Sequence, residues 1–405
     1  MKHRILFFHD TFPAGGAERV TQDIADYISN KGYEVYLIAS HLNVNDCQHL
    51  HLIEVPDNLS LREEATQKFI IEVIREKQIS LFVLPAFMNP DICQAVREHT
   101  SCKIVFALHG LPLYEKIVYL YEKKRWSSKS FIKTILWRGI IYPKVMWLHL
   151  YDKRFLADYK RMYHLVDAFT VLCSGYKQQL ARLLSLGADN HIHVISNAEK
   201  PVPAEWCNDK KKQVIYSGRL DYFKRVDILL KIWQKIFRKA PDWELVIIGD
   251  GPEKKNLENL AEQWKLERVS FIGYVSDVGR FYRQASIICL TSAFEGFPLC
   301  LTEAQSYGVI PMAFNASKGV EEIIGGSGDN GILLPMGSTH RFAKELLSLM
   351  HDEERRCRMK QQVREKAKDY DADLIGGKWL SLFNSLLGQG DVTVYDNCKL
   401  PKLAY

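Results

Sequence analysis

Residues 295–303 read Glu-Gly-Phe-Pro-Leu-Cys-Leu-Thr-Glu and connect a short apolar run to a segment with a helical pattern. The apolar run, Ile287–Leu290, predicts a buried strand, and Pro298–Tyr307 predicts a helix. A helix that begins at the carboxyl end of a strand offers free N–H groups and a positive dipole end, which suit a phosphate. Glu303 is expected to lie about 12 Å from Glu295, at about 1.5 Å per residue. These carboxylates are therefore too far apart to share one proton or metal ion.

The same alternation of apolar strands and helical patterns runs through most of the chain, in two series. The strands predicted for the first series are Arg4–Phe8, Glu34–Ile38, His51–Val55, Leu81–Leu84, Lys103–Leu108, Ala168–Cys173 and His193–Ile195. Those of the second series are Val214–Ser217, Glu244–Ile248, Val269–Ile272, Ile287–Leu290 and Ile310–Ala313. Near-continuous apolar strands separated by helices indicate parallel sheets covered on both faces. The sequence therefore predicts an α/β protein with two doubly wound, Rossmann-like domains that face each other across a cleft.

The break between the two series lies at Asn197–Gln213, which contains two prolines and the run Asp209-Lys-Lys-Lys212. We therefore predict domains at 1–198 and 199–370. A C-terminal helix and tail at 371–405 is expected to return to the N-terminal domain. Ligands of such sheets bind beyond the carboxyl ends of the strands, so the cleft is the expected active site.

Composition narrows the class of protein. The chain has 405 residues, 47% hydrophobic and 25% charged, which is typical of a folded soluble protein. Four apolar residues before His9 are too few for a signal peptide, and no apolar run approaches membrane-spanning length, so we expect a cytoplasmic location. Nine cysteines without a Cys-x-x-Cys pair argue against a disulfide framework and a zinc site.

The segment 114–164 concentrates charge and aromatic rings: twelve Lys or Arg, four Asp or Glu, and twelve aromatic residues. Such a segment can dock peripherally on an anionic membrane, here the inner face of the plasma membrane. An ordinary helical insertion with solvated charges is the alternative. No nucleic-acid-binding module accompanies the charge, so we expect no nucleic-acid partner.

Two loops carry further candidate chemistry. Gly218-Arg219-Leu-Asp-Tyr-Phe-Lys224 follows a predicted strand, and two cations five residues apart can flank a diphosphate. Gly249-Asp-Gly-Pro252 follows the next strand, where a tight turn is at least as good an interpretation as a ligand contact. No complete Gly-x-Gly-x-x-Gly motif occurs there, which argues against a nicotinamide-dependent oxidoreductase.

With its two glutamates separated by seven residues, and with these loops, the chain resembles the family-four retaining glycosyltransferases of the GT-B fold. The resemblance implies that Glu295 contacts the donor sugar, Glu303 the ribose hydroxyls, and Arg219 and Lys224 the diphosphate. The family usually has a glycine where this chain has Arg225.

The resemblance also assigns backbone positions and pocket walls. The base would lie against Ile272, Gly273 and Tyr274, and the phosphates against the start of the helix. The remaining candidate residues are Gly15, Gly16, His109, Asn197, Gly249, Gly296, Phe297, Pro298 and Leu299. Gly15 and Gly16 would let the N-terminal domain's backbone approach the donor, because they carry no Cβ, and His109 would line the sugar pocket.

The resemblance implies transfer of a hexose-type sugar, with retention, from a nucleotide sugar to a hydroxyl of a glycan or lipid-linked glycan. A UDP-sugar is favoured and a GDP-sugar remains open. No cofactor and no divalent metal are expected, and Asp371-Ala-Asp373 is interpreted as a helix N-cap instead of a metal motif. A sugar-nucleotide epimerase of the same fold and a non-catalytic nucleotide- or glycan-binding protein are the alternatives.

Overall fold

The computed structural model describes residues 3–13, 15–44, 46–56, 59, 63–86, 88–127, 130–146, 152–188, 190–326 and 328–388. Within them the first sheet has seven parallel strands in the order β3-β2-β1-β4-β5-β6-β7. These strands are β1 Arg4–Phe12, β2 Glu34–Leu42, β3 His51–Glu54, β4 Leu81–Pro85, β5 Lys103–Leu108, β6 Ala168–Val171 and β7 Ile192–Val194. Their helices are α1 Gly16–Ser29, α2 Glu64–Glu76, α3 Pro90–His99, α4 Tyr114–Ser127, α5 Phe131–Leu136, α6 Tyr142–Met146, α7 Asp152–Leu165 and α8 Ser174–Leu184.

The second sheet has six parallel strands in the order β10-β9-β8-β11-β12-β13. They are β8 Gln213–Ser217, β9 Glu244–Ile248, β10 Val269–Gly273, β11 Ile287–Leu290, β12 Ile310–Phe314 and β13 Ile332–Leu334. The helices are α9 Val226–Ile236, α10 Lys254–Gln263, α11 Gly279–Gln284, α12 Leu299–Ser306, α13 Lys318–Ile324, α14 Thr339–His351, α15 Glu353–Ala367 and α16 Ala372–Leu386. The two sheets confirm the predicted α/β class with two doubly wound units.

Strand β1 shows why its sequence is apolar without alternation. Ile5 and Phe7 join a core formed with α1 and α16, whereas Leu6 and Phe8 join the core on the other face of the sheet. Successive side chains of a strand point to opposite faces, so a strand covered by helices on both sides must be apolar at every position.

Each sheet has one place where the direction of winding reverses. It lies between β1 and β4 in the first sheet and between β8 and β11 in the second. The loops that leave the carboxyl ends of these neighbouring strands diverge and open a crevice in which ligands of such sheets bind. The order of the strands therefore selects the loops after β8 and β11 as walls of a binding site.

The C-terminal helix returns to the first sheet, as predicted. Asp371 caps it by accepting hydrogen bonds from the amides of Asp373 (2.9 Å) and Leu374 (3.4 Å), which confirms the N-cap interpretation. Helix α16 lies against α1, and a Cβ on Gly376 would come within 2.4 Å of the Tyr27 ring. No described helix has the length and apolar character needed to cross a membrane.

Several predicted boundaries differ from the structure. β1 and β2 run four residues further than predicted, and β13 was not predicted, because three residues of it carry too little pattern to detect. Helix α12 begins at Leu299, with Pro298 as its N-cap and not in its first turn. A short 3-10 turn, Ala204–Cys207, interrupts the segment that was expected to lack regular structure.

Candidate active site

The loops after β8 and β11 are joined by hydrogen bonds at the reversal point of the second sheet. The amide of Ala293 donates to the carbonyl of Phe223 (2.8 Å), and Thr291 Oγ1 donates to the carbonyl of Arg225 (2.9 Å). This pairing brings Lys224 against Glu295, with Nζ 2.8 and 2.9 Å from the two carboxylate oxygens. The ammonium and the carboxylate predicted from separate motifs therefore form one ion pair.

The ion pair is held in a largely desolvated place. The Glu295 side chain is 7% exposed and that of Lys224 is 27% exposed. Burial lowers the pKa of Lys224, but the charge and hydrogen bonds of Glu295 outweigh burial and raise its pKa overall. Asp221 shapes the loop because its Oδ1 accepts from the amides of Phe223 (2.9 Å) and Lys224 (3.2 Å). Lys224 is therefore a fixed cation.

Arg225 occupies the position where the family usually has glycine, and its backbone explains that preference. Its φ is 50°, in the left-handed region that side chains disfavour. A bidentate contact with Asp227, at 2.9 Å for each of two bonds, accompanies this conformation. The departure from the family pattern thus leaves the Lys224–Glu295 pair in place.

Arg219 follows β8 and Gly249 follows β9, and the two residues differ in exposure and backbone conformation. The Arg219 side chain is exposed, and its carbonyl accepts a hydrogen bond from Tyr216 (3.0 Å). Gly249 has φ 131°, and a Cβ there would lie 2.0 Å from the carbonyl oxygen of Gly218. Gly249 is therefore required for the close approach of two loops, which is the tight-corner interpretation of the Gly-Asp-Gly-Pro turn.

The predicted base-binding residues border the same edge of the sheet. The amide of Gly249 donates to the carbonyl of Gly273 (2.8 Å), so the loops after β9 and β10 are joined. Ile272 is 40% and Tyr274 80% exposed. The two side chains flank Gly273, whose φ is 82°, and their exposed faces are free to pack against a planar ring.

The turn before α12 is packed against the N-terminal domain. A Cβ on Gly296 would lie 3.2 Å from the Cα of Gly110 and from the carbonyl oxygen of His109. Tyr176, at the start of α8, donates to the carbonyl of Gly296 (2.6 Å). Gly319 approaches that carbonyl so closely that a Cβ would lie 1.9 Å from it. Gly296 therefore lies where the two domains meet.

The other predicted residues of this region surround the helix start. A Cβ on Gly16 would contact the Leu299 side chain at 3.3 Å, so the first glycine loop faces α12 across the cleft. Phe297 is buried, with its ring centroid 5.5 Å from that of Tyr370. A Cβ on Gly15 would lie 3.4 Å from Glu18.

Two histidines form the wall on the N-terminal side. Burial lowers the pKa of His109 to about 4, although a hydrogen bond with Asn197 acts in the opposite direction. Burial also lowers the pKa of His9 to about 3, and its Nε2 lies 2.8 Å from Thr21 Oγ1. Both rings are therefore neutral near pH 7.

Glu303 has partners from both domains, as a partly buried acid requires. Tyr282 donates to its Oε2 (2.9 Å), and Arg19 of α1 makes a short contact with its Oε1. Arg19 Nη2 also lies 3.8 Å from Glu199, whose other oxygen accepts from Thr302 (2.6 Å). Burial and the nearby Glu303 raise the pKa of Glu199.

Sequence reasoning missed Arg19, Tyr176, Glu199 and Tyr282 as members of this site. Only Arg19 carried a signal, because it stands one turn after the glycine loop. The others are recognised by contacts with residues distant in the chain. Among the described residues, no group of three or more His, Cys, Asp or Glu is placed to hold a metal ion.

Two parallel-sheet domains that meet at the loops after β8 and β11 define the GT-B class of fold, and comparison with known proteins identifies the family. Residues 198–366 match the family described as glycosyl transferases group 1, and residues 14–198 match glycosyltransferase family 4. The chain therefore belongs to the family-four, group 1 glycosyltransferases, and it is a glycosyltransferase.

Similar proteins cover nearly all of the chain. An uncharacterized glycosyltransferase of Haemophilus influenzae is 27% identical over 94% of this chain and 99% of its own. A Campylobacter jejuni α-1,4-N-acetyl-D-galactosaminyltransferase, named for a GalNAc-containing diNAcBac-PP-undecaprenol acceptor, is 23% identical over 94% and 98%. The crystal structure of Anabaena HepE in complex with UDP superimposes with a TM-score of 0.71 at 17% identity, over 95% of this chain and 100% of that one, which shows the shared fold.

Proposed function

We propose that this chain transfers a hexose-type sugar from a nucleotide sugar, a UDP-sugar by preference, to a hydroxyl of a glycan or lipid-linked glycan. The observation that carries the proposal is the Lys224–Glu295 pair at the reversal point of the second sheet, beside the exposed Arg219. A UDP complex of HepE and the lipid-linked acceptor named for the Campylobacter relative support the donor and acceptor classes. Synthesis of a cell-surface polysaccharide or lipopolysaccharide would use such a transfer.

In this proposal the protein stabilises the charge that develops on the departing diphosphate. Arg219 and Lys224 supply fixed cations, and the free amides at the start of α12 add a positive dipole end. Glu295 holds Lys224 by both carboxylate oxygens, and its remaining lone pairs can accept hydrogen bonds from sugar hydroxyls. These cations can neutralise a diphosphate, so we propose that no divalent metal takes part.

The acceptor attacks from the face that the diphosphate leaves, which retains the anomeric configuration. The departing phosphate oxygen takes the proton of the acceptor hydroxyl, the glycosidic bond forms, and the bond from the anomeric carbon to the phosphate breaks. His109 is neutral near pH 7 because burial lowers its pKa to about 4. In the proposal it lines the sugar pocket as a neutral ring instead of acting as a cation.

A thermal-shift screen tests the donor first. A ligand that binds only the folded protein raises its melting temperature, so UDP-sugars should raise it more than GDP- or ADP-sugars at equal concentration. Failure of every nucleotide sugar to shift the melting temperature would contradict the donor site. Product anomers resolved by NMR then test retention, and rates measured with and without EDTA test metal independence; an inverted product or an EDTA-sensitive rate would contradict those two points.

The same assay separates the alternatives. Release of the nucleotide or epimerisation of the sugar at the full rate without an acceptor would favour a sugar-nucleotide epimerase or a hydrolase. Nucleotide binding with no turnover on any glycan acceptor would favour a non-catalytic binding protein. The intact set of Arg219, Lys224, Glu295 and Glu303 supports a transferase, because a binding protein has no need of all four.

A further inference from the structure

The chain between β5 and β6 presents a concentrated apolar surface to solvent. Of the fourteen exposed large apolar side chains in the described part of the chain, six lie within residues 131–142, which we name the tip. They are Phe131, Ile132, Ile135, Leu136, Ile140 and Tyr142, and the first three are 80%, 70% and 55% exposed. Soluble proteins rarely leave such a cluster uncovered unless something binds there.

The charge around the tip is of one sign. From Lys123 to Lys144 the chain has seven Lys or Arg and no Asp or Glu. Arg138 and Lys144 are exposed, and the ammonium of Lys133 lies 5.1 Å from the centroid of the Trp126 ring. Apolar side chains among cations match a surface with a negative outer layer and an apolar interior, which is the make-up of an anionic bilayer.

Helix α4 fixes the tip to the donor loops. The Tyr121 ring lies 5.7 Å from the ring of Phe223 and 5.4 Å from that of Phe294, centroid to centroid. These two residues immediately precede Lys224 and Glu295. Arg125 of the same helix lies 3.5 Å from Glu253. About 9 Å of helix separates Tyr121 from the end of α4, at 1.5 Å per residue, so the tip starts close to the donor loops.

These contacts also narrow the part of the segment 114–164 that could meet a membrane. Tyr114 and Tyr121 pack against aromatic residues of the C-terminal domain, and Trp137 is buried. Trp147 lies outside the described residues. Among the described residues of the segment, six of the eight exposed large apolar side chains belong to the tip, and four of those six are aliphatic.

We propose that the tip docks on an anionic bilayer with Phe131, Ile132 and Ile135 inserted among the headgroups. Docking would hold the donor loops near the membrane surface, within reach of a lipid-linked acceptor, and this use of the tip rests on the proposed function. Exposed aliphatic side chains favour a bilayer over nucleic acid, which is bound through aromatic stacking and phosphate contacts.

Co-sedimentation of the full chain with vesicles tests the docking without any substrate. Ile132→Ser/Ile135→Ser should lower the partition coefficient for phosphatidylglycerol–phosphatidylethanolamine vesicles at least tenfold, because two large apolar side chains no longer leave water. Met336→Ser/Leu374→Ser is the matched control, since both side chains are exposed apolar groups elsewhere. It should stay within twofold of the wild type, and equal partitioning of both variants would overturn the proposal.

The dependence of vesicle binding on charge gives a second test. Lys133→Glu/Arg138→Glu should weaken vesicle binding at least tenfold. Binding of the wild type should be weaker on phosphatidylcholine vesicles, and also weaker in 0.5 M salt, where a Debye length of roughly 4 Å screens the attraction. Binding indifferent to lipid charge and salt would contradict the anionic surface. A tip-dependent dimer in sedimentation equilibrium, with no vesicle binding, would assign the tip to a second copy of the chain and overturn the proposal.

The docking test and the test of the proposed donor can fail independently of each other. The melting-temperature shift caused by UDP should be the same in the tip variants and the wild type, because the tip does not line the nucleotide site. A normal UDP shift without vesicle binding would overturn docking alone, whereas vesicle binding without a UDP shift would support docking and contradict the proposed donor.

Discussion

Replacing Lys224 with alanine removes the cation that both oxygens of Glu295 contact, and it leaves a carboxylate that is 7% exposed without this ion-pair partner. Removing one member of a buried ion pair costs about 3–5 kcal/mol. Lys224 itself is 27% exposed, so we expect a smaller loss of about 2–3 kcal/mol in the free energy of unfolding. In a domain of this size each kcal/mol shifts the melting temperature by about 2–4 °C, which gives a fall of about 4–12 °C.

Arg219→Ala is the matched control, because it removes the other proposed diphosphate cation from an exposed position. Its stability should change by no more than about 0.5 kcal/mol, as for most surface substitutions. Both variants should lose turnover by about 10²–10³-fold or more, since each removes a charge that stabilises the departing diphosphate. Lys224→Met/Glu295→Leu should recover most of the stability that Lys224→Ala loses and none of the turnover.

Thermal unfolding by circular dichroism and nucleotide release with a coupled assay measure these two quantities on the same preparations. An unchanged melting temperature for Lys224→Ala would refute the ion-pair reasoning. Near-normal turnover of either single variant would refute the assignment of these cations to the diphosphate. Destabilisation of Arg219→Ala equal to that of Lys224→Ala would show that the loop, and not the pair, carries the stability.

Three further predictions concern pH and backbone packing. Because burial lowers the pKa of His9 to about 3 while the unfolded chain titrates near 6.5, stability should fall as the pH drops below 6.5, by about 2 kcal/mol at pH 5. His9→Gln should flatten this fall in melting curves and His340→Gln, at an exposed site, should not. The raised pKa of Glu199 acts in the opposite direction, because the folded protein then binds the proton more tightly than the unfolded chain and loses stability as the pH rises. Glu199→Gln, which stays neutral, should therefore raise the melting temperature at pH 8 more than at pH 5. Gly319→Ala should cost about 1–3 kcal/mol and reduce the UDP-induced shift, because its Cβ would lie 1.9 Å from the carbonyl oxygen of Gly296 and displace that loop; a normal shift would contradict this.

Much of the fold was predictable because its signals are local. The apolar runs that become β4 and β5 each lie within six residues, and nearly continuous hydrophobicity identifies a strand covered on both faces. Strand β13 escaped prediction because three residues between turns carry no such run. Helix α12 was placed within one residue at each end, since proline and glycine bracket it in the sequence.

The candidate site was predictable in part. Glu295 and Lys224 were assigned from motifs in separate loops, but their direct contact follows from the pairing of β8 with β11. Arg19 and Glu303 meet although 284 residues separate them, and no local pattern predicts that contact. Gly249 was open to two interpretations; the carbonyl of Gly218 beside it shows the tight corner, and the ligand contact stays a prediction.

The stretch 295–303 by itself determined a strand end, a helix start and two acids about two turns apart, because backbone propensity and hydrophobic period act over a few residues. Only the tertiary structure decided which groups those acids contact: Lys224 from the neighbouring loop, and Arg19 and Tyr282 from opposite sides of the cleft. Strand order also decided that the tip and the donor loops lie near each other, since contacts between distant segments depend on how the sheets are wound and not on any nearby residue.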